Sequence, residues 1–528
     1  MCISVLSILR ATCVLIFFVS IYTDNCESAR VLGLFPTLSK SHLIVQMEVI
    51  KTLMDRGHNV TVVTTLPVAK ENRNFHHIKL PERSYPEQIF SNAIEERRGL
   101  IEEIKNISVI LDMMLNVSEA SLVDLIKSGF LNEEPFDLVV LGYFLNDFFM
   151  GIPAHFKSPF VIIDTHKPML WTNGMIGNPS EIFYVPGAFL EETQPLSFLG
   201  RVRNTLFYVL EIAQTKFFGR SMNKIYEKHF PGDKYPSLID MSKNVSLILQ
   251  TSHFSEGIIR PEVPALIQIG GIQAKPKPDP LPKDLSSILD EATEHGVIYF
   301  SLGTHVKSSD RNPERIRSIY NVFSKLKQKV IWKWENDKYP GNASNIFYKK
   351  WLPQDDILAH PNLRLFISHC GLGSVVESKY HGVPVLAIPL FGDQFGNAKG
   401  MVDDGFAVQV NYQDLTEESF GEAVREILEN PAYQEKIQTF SKLYCDRPMS
   451  IRDTAAYWME YVIRHRGAKH MQSPAVHMNT LAYFGLDVFA ILLAIVYIVF
   501  KTLSICCCTL LCRRAKSKGA GTHKKKKE

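Results

Sequence analysis

Short apolar runs alternate with stretches of helical periodicity along almost the whole chain. In the first half, VLGLF (31–35), NVTVVT (59–64), FDLVVLG (136–142), FVIID (160–164), VSLILQ (245–250) and LIQIGG (266–271) are nearly continuous in aliphatic and β-branched residues. Strands of this kind are buried on both faces, as in a parallel sheet covered by helices. Between the first two runs, Leu43, Val45, Met47, Val49, Ile50, Leu53 and Met54 make a broad apolar helical face closed by Gly57. A long helical insertion with Pro-rich ends lies among the later runs. AKPKPDPLPKD (274–284) is polar and proline-rich and reads as a linker. A second series follows, with strands at GVIYFSLG (296–303), KVIWKW (329–334), LRLFIS (363–368), PVLAIP (384–389) and FAVQV (406–410). Helices are expected at 313–328, 373–382 and 397–405, and helical residues at 416–464. The pattern predicts an α/β fold of two Rossmann-like, doubly wound domains facing each other across a cleft, 30–273 and, with its trailing helices, 285–465.

The two ends depart from this pattern. ATCVLIFFVSIY (11–22) follows Arg10 and has the length of a signal-sequence core, with small residues suited to cleavage at 28–29, so residues 1–29 read as a secretory signal. Tyr483 to Phe500 is apolar apart from Asp487, and TLSICCCTLLC continues to Cys512, so a transmembrane helix is expected over 483–508. The tail, 509–528, is basic and is expected on the cytosolic side, with the body translocated. Lys525 and Lys526 resemble a dilysine signal for retention in the endoplasmic reticulum. The same lysines also suit an anionic lipid surface.

Composition narrows the class further. The 528 residues are 46% hydrophobic and 21% charged, which excludes a disordered chain and a many-span membrane protein. Nine Lys/Arg lie from Lys501 onward against one acid, leaving 49 basic and 54 acidic residues in 1–500, so the body is mildly acidic and nucleic acid is an unfavourable partner. Of nine cysteines, Cys370 and Cys445 alone fall in the expected luminal body, which must fold on its core and not on disulfides. Asn106, Asn116, Asn244 and Asn342 are candidate glycosylation sites, whereas Asn59, opening a strand, is expected to be too buried.

Several chemistries lack their motifs. No G-x-G-x-x-G follows a strand, and there is no Walker A sequence, no H-E-x-x-H and no D-x-D. The informative stretch is 351–394. LRLFIS leads to His369, then Cys370-Gly371-Leu372-Gly373-Ser374 turns into a helix whose free N–H groups suit a diphosphate. His369 can add a charge-assisted hydrogen bond. Glu377, one turn on, can accept from a ribose diol, and Trp351 offers a flat face to a base. Asp393 and Gln394, after a strand, can grip sugar hydroxyls. Taken singly, His369 or Trp351 would serve equally well as a core residue.

Together, W-x-P-Q, H-x-G-x-x-S-x-x-E, H-G-x-P and D-Q, in this order and spacing, resemble the signature of the UDP-glycosyltransferases, which include the UDP-glucuronosyltransferases. The resemblance implies the GT-B fold, with an acceptor-binding N-terminal domain and a UDP-sugar-binding C-terminal domain. It implies that Trp351 stacks on uracil, Gln354 contacts the nucleoside and Glu377 takes the ribose. His369, Gly371 and Ser374 would hold phosphate, and Asp393 with Gln394 the sugar. Ser301, Gly303 and Thr304 would form a second phosphate-facing turn, and Arg260 would reach the donor across the cleft. The co-substrate would be UDP-glucose or UDP-glucuronic acid, with no metal or other cofactor, and the acceptor a small lipophilic alcohol or phenol. The histidine of Lys40-Ser41-His42 would be the catalytic base: a neutral imidazole takes the acceptor proton as the oxygen attacks the anomeric carbon and inverts it.

One position departs from the resemblance. The family often carries a carboxylate five residues after the Asp of F-D-h-h-h, orienting the histidine. Here that position, five after Asp137, is Gly142. Asp147 is expected to substitute if the following loop curls back. The alternative is a catalytically weak or silent homologue acting as a ligand-binding or partner subunit. Cys370 also stands where the signature usually has glycine.

Overall fold

A computed structural model describes residues 28–522, apart from 69–72, 84–93, 95–99, 257 and 305. The signal-like segment before residue 28 and the lysine run after 522 lie outside the described residues. The chain divides into two compact units, 1–472 and 473–528.

The first unit contains two sheets. One is built from β1 (Arg30–Phe35), β2 (Asn59–Thr64), β3 (Phe75–Lys79), β4 (Leu138–Tyr143), β5 (Phe160–Asp164), β6 (Leu247–Gln250) and β7 (Leu266–Gln268), in the order β3-β2-β1-β4-β5-β6-β7. The other is built from β8 (Val297–Ser301), β9 (Lys329–Lys333), β10 (Ile346–Lys349), β11 (Leu363–Ser368), β12 (Val385–Ala387) and β13 (Ala407–Gln409), in the order β10-β9-β8-β11-β12-β13. Every strand pair is parallel. This is the doubly wound arrangement that the apolar runs predict. β3 and β10 lie at sheet edges and escape the pattern, unlike the other two edge strands, β7 and β13, which carry the apolar runs LIQIGG and FAVQV. FHHIK and IFYK are half solvated, so neither forms a continuous apolar run.

The helices that matter for the site are α1 (Lys40–Asp55), α2 (Leu100–Lys127), α3 (Phe198–His229), α4 (Leu372–His381), α5 (Gln394–Asp403) and α6 (Ile451–His465). Both faces of each sheet are covered. Around the second sheet, Trp332, Phe300 and Phe323 are fully buried and meet at ring separations of 5.2–5.9 Å. Burying one such side chain contributes about 1.5–3 kcal/mol.

The last of the trailing helices in 285–465 packs away from the second sheet. Ala455, Met459 and Val462 of α6 belong to the core of the first sheet, not the second. Arg56 pairs with Glu460 at 3.0 Å and with Asp453 at 3.1 Å, and Arg452 reaches Glu48 and Asp55, all across the α6–α1 contact. Glu460 is buried but the other partners are partly or fully exposed, where a pair contributes about 0–1 kcal/mol, so the buried apolar face decides where α6 packs. Asn59 is also unlike its expectation: its side chain is exposed and donates to Ser28 Oγ at 3.1 Å.

The second unit carries α7 (Leu486–Thr522), whose stretch Leu486–Arg514 is long and apolar enough to cross a membrane by length and composition.

Candidate active site

In an open parallel sheet, ligands gather at the carboxyl ends of strands where the strand order reverses. Here those switch points are β1/β4 in the first sheet and β8/β11 in the second. The loops after all four strands line one cavity of about 1990 Å³. Every site residue read from the sequence lines it except Arg260. That guanidinium lies outside the lining, where burial pushes its pKa below the usual range while Glu262 and Glu256 oppose the shift as counter-charges.

The loop after β8 and the start of α4 abut because Ser301 pairs with Ser368 in the β8–β11 register. Ser301 Oγ accepts the Gly303 N–H at 3.2 Å. Gly303 has φ +84°, and a Cβ there would stand 2.5 Å from the His369 ring, so only glycine admits the imidazole at this turn. Lys333, at the end of β9, donates to the Gly303 carbonyl and to Glu335, both at 2.8 Å. Lys333 carries no motif in the sequence; its signal is a buried lysine directly after the apolar run VIW of β9.

Gly371 is the N-cap of α4 and supplies no capping side chain, so the first N–H groups of the helix are left to an anion. Gln354 ties this helix to the segment after Trp351. Its amide donates to Glu377 at 2.6 Å and to Ser374 Oγ at 3.0 Å, while its oxygen accepts from Tyr299 Oη at 3.2 Å. Burial pushes the Glu377 carboxyl up to about 8. Trp351 is 56% exposed, with the Lys40 ammonium 5.5 Å over its ring. Asp393 accepts from Asn397 at 2.8 Å. Gln394 Oε1 accepts the Leu390 and Phe391 N–H groups at 2.8 and 3.2 Å, so its amide nitrogen is the end left for a ligand.

On the opposite wall, Ser39 caps α1, accepting the His42 N–H at 3.5 Å, and places His42 in the first turn. The His42 ring meets His166 edge to face at 4.9 Å and Phe144 at 6.1 Å. Asp147 lines the cavity but is not in hydrogen-bond contact with His42. Both its oxygens take the Tyr143 hydroxyl, at 3.3 and 3.2 Å, and burial pushes its carboxyl up to about 6. A loop that curls back far enough to bury Asp147 delivers it to Tyr143 instead. His166 and Asp164 were not singled out in the sequence; their clue was an acid and a histidine directly after a buried strand. Leu111, Met114, Phe144, Trp171, Phe207 and Met222 make this wall largely apolar.

Two parallel sheets with a diphosphate-suited turn on one and a histidine on the other define a glycosyltransferase of the GT-B class. The chain belongs to the family described as UDP-glucoronosyl and UDP-glucosyl transferase, whose profile matches residues 31–522. It is 35% identical to UDP-glucosyltransferase 2 of Dactylopius coccus, over 90% of this chain and 92% of that one. It is 29% identical to UDP-glucuronosyltransferase 1A1 of Mus musculus, over 96% of each. The fold is similar to that of a UDP-glucosyltransferase from Polygonum tinctorium, solved in a complex with 3,4-dichloroaniline, with TM-score 0.54 and 16% identity over 83% of this chain and 98% of that one.

Proposed function

We propose that this UDP-glycosyltransferase moves glucose from UDP-glucose to a hydroxyl of a small lipophilic acceptor, inverting the anomeric carbon without a metal ion. The observation that carries the reading is the placement of His42, on an apolar wall, across one cavity from the α4 N-terminus and Glu377. His42 takes the acceptor proton as the oxygen attacks, and UDP leaves from the opposite face toward the helix N-terminus. Glucose is favoured by the name of the Dactylopius relative; glucuronic acid, by the name of the mouse relative, is the second donor to test. Gly142 favours the alternative of a silent homologue. The apolar stretch Leu486–Arg514, with the basic residues after it, supports anchoring in a membrane, with the body in the lumen of the endoplasmic reticulum. The test is a donor panel with microsomes expressing the chain and a model phenol, read by product mass. A hexose or hexuronic acid adduct names the donor, and no adduct with any UDP-sugar supports the silent homologue.

A further inference from the structure

One cluster beside His42 belongs to no part of the family signature described above. His166 meets His42 edge to face, with ring centroids 4.9 Å apart and planes at 87°. It stacks on Phe144 at 4.5 Å. Its Nδ1 lies 3.3 Å from Asp164 Oδ1, and its backbone N–H donates to the same oxygen at 3.0 Å. Asp164 ends β5 at 1% exposure, and its Oδ2 has no hydrogen-bond partner among the described residues. A carboxylate accepting from Nδ1–H leaves Nε2 of His166 as the acceptor nitrogen and fixes the ring. The position that lacks a carboxylate is closed by other means. A Cβ on Gly142 would stand 2.4 Å from the Gln46 amide, which is 2% exposed and one turn along α1 from His42.

Resting on the reading of His42 as the base, we infer that His166, held by Asp164, is the positioning residue that replaces the carboxylate absent at Gly142. The acceptor O–H proton passes to His42. The oxygen bonds to the anomeric carbon, and the carbon–oxygen bond to UDP breaks with its electron pair on the diphosphate. His166 exchanges no proton. It holds the His42 ring, and with Asp164 behind it favours the positive charge that His42 acquires.

The rival explanation is local: Asp164 only closes the turn at 164–166. A double-mutant cycle separates the two, with initial rates and UDP-glucose binding measured for His166→Ala, Asp164→Asn, His42→Ala and the paired variants. The expected result is a kcat loss of about 10- to 100-fold for His166→Ala, below the roughly 10²–10⁴ expected for the base itself. KM for UDP-glucose should stay within about twofold, and the loss should vanish in the His42→Ala background. A wild-type kcat, or the same fold-loss with and without His42, overturns the inference. If His166→Ala loses UDP-glucose binding, the fold is damaged and the isosteric Asp164→Asn decides by the same cycle; a neutral effect on kcat overturns it. Should His42→Ala itself keep the wild-type rate, the base assignment fails instead, and that result is read independently of His166.

Discussion

Gln354 and Glu377 are joined by a 2.6 Å hydrogen bond from the amide to the Glu377 carboxyl group, linking the segment after Trp351 to the second turn of α4. Burial holds the Glu377 carboxyl at about 8, so near neutrality it is largely protonated before a ligand arrives. A ribose diol donates to the charged form and pulls the pKa down. UDP-glucose binding is therefore expected to release protons near pH 7 and to strengthen as pH rises toward 9. Calorimetry in buffers of different ionisation enthalpy checks this, and Glu377→Gln should abolish the proton release. Equal heats in all buffers for the wild type would show that Glu377 does not take the ribose.

Asp147 makes a separate pH signature. Its folded value of about 6 lies above the ordinary carboxylate value because of burial. A raised carboxyl contributes stability that is present below pH 4 and lost as pH rises through 6. Asp147→Asn should therefore stabilise the fold at pH 8, on the order of 1–3 kcal/mol, and change little at pH 4. Denaturant midpoints at the two pH values measure it. Because the carboxylate faces Tyr143, kcat should fall less than about threefold; a hundredfold fall would return Asp147 to the catalytic apparatus.

Cys370 sits at φ +64°, a left-handed conformation, with its side chain fully buried. Cys370→Gly relieves about 1–2 kcal/mol of backbone strain but empties a packed site, so the two effects should nearly cancel. Cys370→Val places a β-branched residue at positive φ and should cost more than about 2 kcal/mol. Chemical denaturation of the two variants tests the order; a stable Val variant would contradict the strained geometry.

The diphosphate is expected to rest on backbone N–H groups and His369, not on a cation. No group of three or more His, Cys, Asp or Glu is placed to hold a metal among the described residues, and the chain has no D-x-D. Treating the detergent-solubilised enzyme with a chelator should leave most of the rate. A collapse reversed only by manganese or magnesium would overturn the helix N-terminus account.

What the sequence determined by itself is the part written in local patterns. Continuous apolar runs marked eleven of the thirteen described strands, all nine central ones and the edge strands β7 and β13, because a strand buried on both faces must be apolar throughout. The turns after β8 and into α4 were legible because glycine is required wherever backbone or imidazole approaches closely, as at Gly303 and Gly371. Tertiary structure alone decided the rest. The half-solvated edge strands β3 and β10 carry no such run. The packing of α6 on the first core depends on a surface some 400 residues earlier in the chain, as the Arg56–Glu460 pair shows. Arg260 lies outside the cavity lining, a placement its Arg-Pro motif does not encode. The setting of His42 is the sharpest case. Its neighbours come from α1, from the end of β4 and from beyond β5, strands brought together by the β1-β4-β5 order. Which group stands beside the His42 imidazole is a matter of angstroms across strands distant in sequence, and no local periodicity encodes that distance.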